Sequence, residues 1–140
     1  MSDSIMTPDP VVGDTVTKMP VHYRAASREL LLVLGIPGYF RGHKYLTEAV
    51  AICAFVNKPG YTKRVIYSEL ERIFGDSRSH IERDIRHAVS SSWERGYPVL
   101  LKKYFGYIVP ADKKPANLDF IHNAARAVLD MISVGPDAQS

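Results

Sequence analysis

The chain has 140 residues, 46% hydrophobic and 24% charged, a size and balance that suit one compact globular domain. Cys53 is the only cysteine, which excludes an intramolecular disulfide; no apolar run is long enough to span a membrane, and Met1–His22 lacks the layout of a signal peptide, so a reducing cytoplasm is the expected compartment. Charge is unevenly spread: residues 41–114 hold fourteen Lys/Arg against eight Asp/Glu, while both ends are slightly acidic, a pattern shared by nucleic-acid-binding surfaces and by ordinary solvated basic faces.

Residues 1–23 combine Ser, Asp, Thr and Pro8, Pro10 and Pro20 without a sustained apolar period, and are expected to form a disordered leader before a domain over residues 24–134. Ala25 to Leu34 is the first helix candidate, stopped by Gly35-Ile-Pro-Gly38. A second runs from about Tyr45 to Val56 and ends at Lys58-Pro-Gly60; the apolar setting of Cys53 within it suggests a buried thiol. Ile66, Leu70 and Ile73 form one stripe of a third helix from Lys63 to Phe74. After the tight Gly75-Asp-Ser77 turn, a fourth is expected from about Ser77 to Arg95, and Pro98 to Tyr104 suits a short fifth. Only Tyr107-Ile-Val109 has strand character. Asn117 suits the N-cap of a last helix to about Ile132, and residues 135–140 are expected to fray. The expected fold is all-α, a compact six-helix domain containing a helix-turn-helix.

The fourth helix carries the chemistry. At 100° per residue, Ile81, Ile85, Ala88, Val89 and Ser92 share one side with Trp93 at its edge; Ser79, Arg83, Arg86, His87, Ser90 and Glu94 share the other, flanked by His80 and Glu82. Arginines three apart lie on neighbouring turns and can enter one major groove, where a guanidinium donates two hydrogen bonds to guanine O6 and N7. Glu82 suits cytosine N4 or the positioning of an arginine, while Ser77, Ser79 and Ser90 suit phosphate contacts. A solvated face is also written this way, with Glu82–Arg86 as an i,i+4 pair. The helix and turn just before it, and short polar residues among the arginines, favour close groove approach.

Leu34-Gly-Ile-Pro37, Arg41-Gly-His-Lys-Tyr-Leu-Thr-Glu-Ala-Val50, Thr62-Lys-Arg-Val-Ile-Tyr67, Ile81-Glu-Arg-Asp-Ile-Arg-His-Ala88, Trp93-Glu-Arg-Gly96, Phe105-Gly-Tyr107 and Lys114-Pro-Ala-Asn117 occur in that order. From Leu30 to about Val128 the chain thereby resembles the DNA-binding effector domain of the stage-zero master regulator of sporulation, a response regulator of endospore-forming bacteria. The resemblance implies six helices, a fourth helix that reads a short promoter box, and head-to-tail self-association on tandem sites through the last helix. It places Glu82, Arg83 and Arg86 at base-contacting positions, with His87 beside them and phosphate contacts around Lys63, Ser79 and His80. Two departures stand out. Residues 1–24 hold no receiver domain, so either a fragment or a standalone protein without the phosphorylation switch is expected, with the opening Met1 on the side of the latter, and Asp84 replaces a small residue between the arginines, on the flank of the helix, placed to pair with an arginine or to repel phosphate.

A catalytic or metal site has little support, and no cofactor is expected. The five histidines form no ligand spacing; His80 and His87 share a face but stand about 10 Å apart along a helix axis. There is no Gly-x-Ser-x-Gly, Cys53 has no evident base partner, and Gly35-Ile-Pro-Gly38 lacks the ending of a phosphate loop. The expected function is therefore a sequence-specific, double-stranded-DNA-binding transcriptional regulator. Its expected partners are promoter DNA, further copies of itself, and a full-length sporulation regulator or RNA polymerase. The rival reading is a protein-interaction module that pairs with such a full-length regulator and binds little DNA of its own.

Overall fold

A computed structural model describes residues 18–57, 63–95, 103 and 114–133. Among these residues the fold is all-α: α1 (Val21–Val33), α2 (Arg41–Val56), α3 (Lys63–Phe74), α4 (Arg78–Arg95) and α5 (Asn117–Ser133). Five helices thus stand where six were expected; the short helix proposed over 98–104 falls outside the described residues except for Lys103, as does the 107–109 strand.

Helix α1 begins at Val21, earlier than the Ala25 expected, because the extended backbone of Pro20 at the N-cap leads straight into helical geometry. Met19 is buried against Ala51 and Ile52, so the leader does not run through residue 23 as a detached segment. The other end of α1 is closed by the chain itself. Gly35 takes a positive φ of 89°, its N–H reaches Leu32 O at 3.1 Å, and Ile36 N–H reaches Leu31 O at 3.0 Å. That reversal drops Ile36 into the core with no exposed surface.

Helix α2 starts at Arg41, four residues before the expected Tyr45, and ends at Asn57 in the left-handed conformation (φ 44°), ahead of Lys58-Pro-Gly60. It is the central element, packing against all four other helices. Its small and apolar residues explain why: Ala49, Val50, Ala51 and Ile52 in succession are fully buried, so the helix is covered nearly all round. Leu46, Leu70, Ile81 and Phe120, from four helices, meet in the same core with no exposed surface. Each such side chain contributes about 1.5–3 kcal/mol through burial.

Two polar groups stitch this core. Ser92 Oγ donates to Leu34 O at 2.7 Å, tying α4 to the end of α1, and Thr47 Oγ1 donates back to His43 O at 2.9 Å within α2. His43 is buried with Nδ1 3.1 Å from Ile36 O; burial, aided by the nearby Arg28 charge, lowers its pKa below the ordinary histidine value.

Candidate nucleic-acid interface

Helices α3 and α4 are joined by three residues, Gly75, Asp76 and Ser77. Gly75 ends α3 in the left-handed region (φ 72°), with its N–H on Glu71 O at 2.8 Å. Glu71 then reaches across the turn, its Oε2 accepting the Arg78 N–H at 3.0 Å, and Ser77 Oγ accepts the His80 N–H at 3.3 Å. Two of the free N–H groups that open α4 are thereby satisfied. Asp76 is held from below by α2, since the Tyr45 hydroxyl donates to its Oδ2 at 2.5 Å. Burial and that bond push the Tyr45 phenol well above the ordinary tyrosine value.

Helix α4 has two unlike sides. Ile81, Ile85, Ala88, Val89 and Ser92 are buried, and Trp93 nearly so; Ser79, Arg83, Arg86, His87 and Glu94 are exposed. Three close contacts fix its roll. Ser92 bonds Leu34, as above. On one flank α2 approaches so closely at Gly42 that only hydrogen fits there. On the opposite flank Asn117 Nδ2 donates to Glu82 O at 3.1 Å and to the buried Tyr67 hydroxyl at 3.3 Å. Asn117 is thus the first residue of α5 and a clamp between helices, where its sequence position suggested an N-cap; its amide finds acceptors on α3 and α4, and the Phe120 N–H is taken by Ala116 O.

The candidate contact residues differ in how they are held. Arg83 is prepositioned: its guanidinium donates to His80 Nδ1 at 3.0 Å, and its Nε lies 3.6 Å from Asp84 Oδ1. Arginine has no acceptor, so this His80 nitrogen is the accepting one. Arg86 is exposed and makes no hydrogen bond or ion pair with the other described residues. Glu82 pairs with Arg78 at 3.3 Å, one turn back, so the expected Glu82–Arg86 pair gives way to one whose guanidinium also lies over the Tyr67 ring. Ser77 and Ser79 are exposed, and Ser77 is occupied as the cap of α4. Ser90 accepts a hydrogen bond from Lys114, and His87 stands with its ring 5.5 Å from that of Phe40. Lys63 opens α3, and its side chain falls outside the described residues.

Asp84 pairs with an arginine, Arg83, as its place on the flank allowed. It turns inward from the flank and is buried, with Oδ2 3.1 Å from His80 Nε2. That approach is off the line of a hydrogen bond, so Oδ2 is enclosed without a donor among the described residues.

Three participants escaped the sequence reading. Arg78 stands four residues before Glu82, a spacing that could have marked it. Lys114 and Asn117 stood out only as a matched motif and a cap, because their partners on α3 and α4 lie 24 to 50 residues away. Lys114 and Asn117, together with Tyr67, Glu82 and Arg86, line a groove of about 430 Å³ beside α4.

No three His, Cys, Asp or Glu side chains of the described residues gather as a metal-holding group. Cys53 is half-buried, not fully enclosed as expected, and burial pushes its thiol up to about 11, away from the thiolate a nucleophile needs. No helix of the described residues is long and apolar enough to cross a membrane. Residues 28–128 match the family model described as "Sporulation initiation factor Spo0A C terminal".

Proposed function

The chain belongs to the sporulation initiation factor Spo0A C-terminal family, a family of DNA-binding regulatory effector domains, and on that footing we propose that it is a sequence-specific, double-stranded-DNA-binding transcriptional regulator. In this reading α3, the Gly75–Ser77 turn and α4 act as a helix-turn-helix, and α4 enters the major groove. The observation that carries it is the contrast along α4: the inner side is locked at Leu34, Gly42 and Asn117, while Arg83 and Arg86 stand exposed on adjacent turns. A rigid helix with two guanidinium groups presented outward offers the donors that match guanine's two acceptors, O6 and N7.

Arg83 and Arg86 are then the principal base readers. Glu82, half-buried and paired with Arg78, accepts from cytosine N4 or orients a neighbour. Ser79, His80, His87 and Ser90 contact phosphates, as do Ser77 and Lys63 at the helix starts. Head-to-tail association of copies on tandem boxes, and contact with a full-length sporulation regulator or RNA polymerase, complete the proposal, with the cytoplasm as its compartment.

The test is a salt-titrated binding measurement on a sporulation-type box and on scrambled DNA. Affinity for both falls steeply with salt, and the box binds more tightly. Arg83→Ala or Arg86→Ala costs about 1–3 kcal/mol on the box and flattens the preference. If both variants bind box and scrambled DNA like the parent, direct readout by α4 is wrong.

A further inference from the structure

A recognition helix in a major groove lies between two phosphate strands, so a complete interface needs cations on both of its sides. Two segments outside the α3–α4 unit flank α4 in that way. On the flank of Asp84 and Ala88 stands the start of α2, pressed in at Gly42. Arg41 is exposed there and makes no ion pair with the other described residues. Exposed Lys44 follows one turn on, its Nζ about 5 Å from the Tyr45 and Phe74 rings. Tyr39, 80% exposed, stands beside them with its ring packed on Phe40.

On the opposite flank runs the segment that leads into α5. Lys114 is exposed and donates to Ser90 Oγ on the outer side of α4. It shares the groove there with Arg86, and Asn117 fixes the segment to the Glu82 carbonyl. By helical geometry Asp84 and Glu82 lie roughly 160° apart around α4, with Arg83 between them on the outward arc. The two cationic segments therefore stand on either side of the reading face.

We propose that Arg41, with Lys44, and Lys114 are the two phosphate-binding rims of the DNA interface, each holding one strand while α4 reads the groove between. The inference rests on the DNA-binding function proposed above. It assigns affinity to the rims and sequence preference to α4. Phosphates carry no base identity, so the rims strengthen binding to every duplex alike.

The test uses the whole chain, with Arg41→Gln, Lys114→Gln, the double variant, and Lys18→Gln as an exposed control beside Met19, which packs on Ala51 about 15 Å along α2 from Arg41. All are compared with the parent on box and scrambled DNA across a salt series, with circular dichroism confirming the fold. Each rim variant should weaken both duplexes by roughly 3- to 10-fold at 0.1 M salt and lower the log–log salt slope by about one. The double variant should lower it by about two, with the box-to-scrambled ratio kept. Lys18→Gln should match the parent. If the parent binds with a steep slope and the rim variants keep that slope, the rims are wrong while the function stands. A change in the box-to-scrambled ratio would also overturn them, since it would make these residues base readers. A parent that binds neither duplex removes the function and this inference together.

Discussion

Gly42 meets the backbone of Asp84 so closely that a Cβ at position 42 would stand 2.3 Å from the Asp84 carbonyl oxygen and 2.9 Å from the Ala88 Cβ. Neither obstacle is a flexible side-chain end, so Gly42→Ala must push α2 and α4 apart. Overpacking of this kind costs about 1–3 kcal/mol. Gly38→Ala is the matched control, because a Cβ there meets nothing within 4 Å. Chemical denaturation should show a lowered midpoint for the first and a change within about 0.5 kcal/mol for the second.

Ser92→Ala deletes the buried hydrogen bond to Leu34 O, and Asn117→Ala deletes the clamp on Glu82 O and Tyr67. The stranded Leu34 carbonyl makes the first the costlier change, about 1–3 kcal/mol by equilibrium unfolding. Asn117→Ala also loosens one flank of α4. Its DNA preference should fall by more than its stability does, whereas a role confined to folding would leave the preference of the folded fraction unchanged.

The pH dependence of stability on the acid side is set in part by His43. Its folded pKa lies below the ordinary value of 6.5, so the unfolded chain takes up a proton that the folded chain refuses. The contribution is complete above that value and is lost as pH falls through 6.5 towards the folded pKa. Melting curves between pH 7.5 and 5 should therefore drop for the parent, and His43→Gln should flatten this part of the profile from a lower starting stability.

Asp84→Ala removes a carboxylate enclosed beside His80 and Arg83. With that charge gone, the reading face becomes more positive and Arg83 is held by His80 alone. Affinity for any duplex should rise by about 0.5–1 kcal/mol, the scale of a partly screened charge interaction. Discrimination between box and scrambled DNA should decline as Arg83 gains freedom. Tighter binding with unchanged discrimination would show that Asp84 does not orient Arg83.

Much of α3 and α4 was legible because periodicity alone divides them. The stripe of Ile66 and Leu70 and the inner side of Ile81, Ile85, Ala88 and Val89 are buried where the 100° rule places them. Gly75 and Ser77 marked the turn for local reasons: one allows a left-handed residue, the other accepts a helix-opening N–H. Asp84 was legible only in part: helical angle places it on the flank beside Arg83 but cannot say that α2 closes over that flank. Asn117 carries the right chemistry for a cap, yet two acceptors brought near by folding claim its amide. Glu82 had two possible arginine partners at equal spacing, and the Tyr67 ring beneath Arg78 favours that side.

The Tyr45–Asp76 bond and the Gly42 contact join the turn and the middle of α4 to one central helix, α2. A helix fastened at both levels has little freedom to tilt towards an imperfect partner. In the proposed complex the adjustment then falls on the duplex, and base steps that bend or widen easily become favourable even where no side chain touches them.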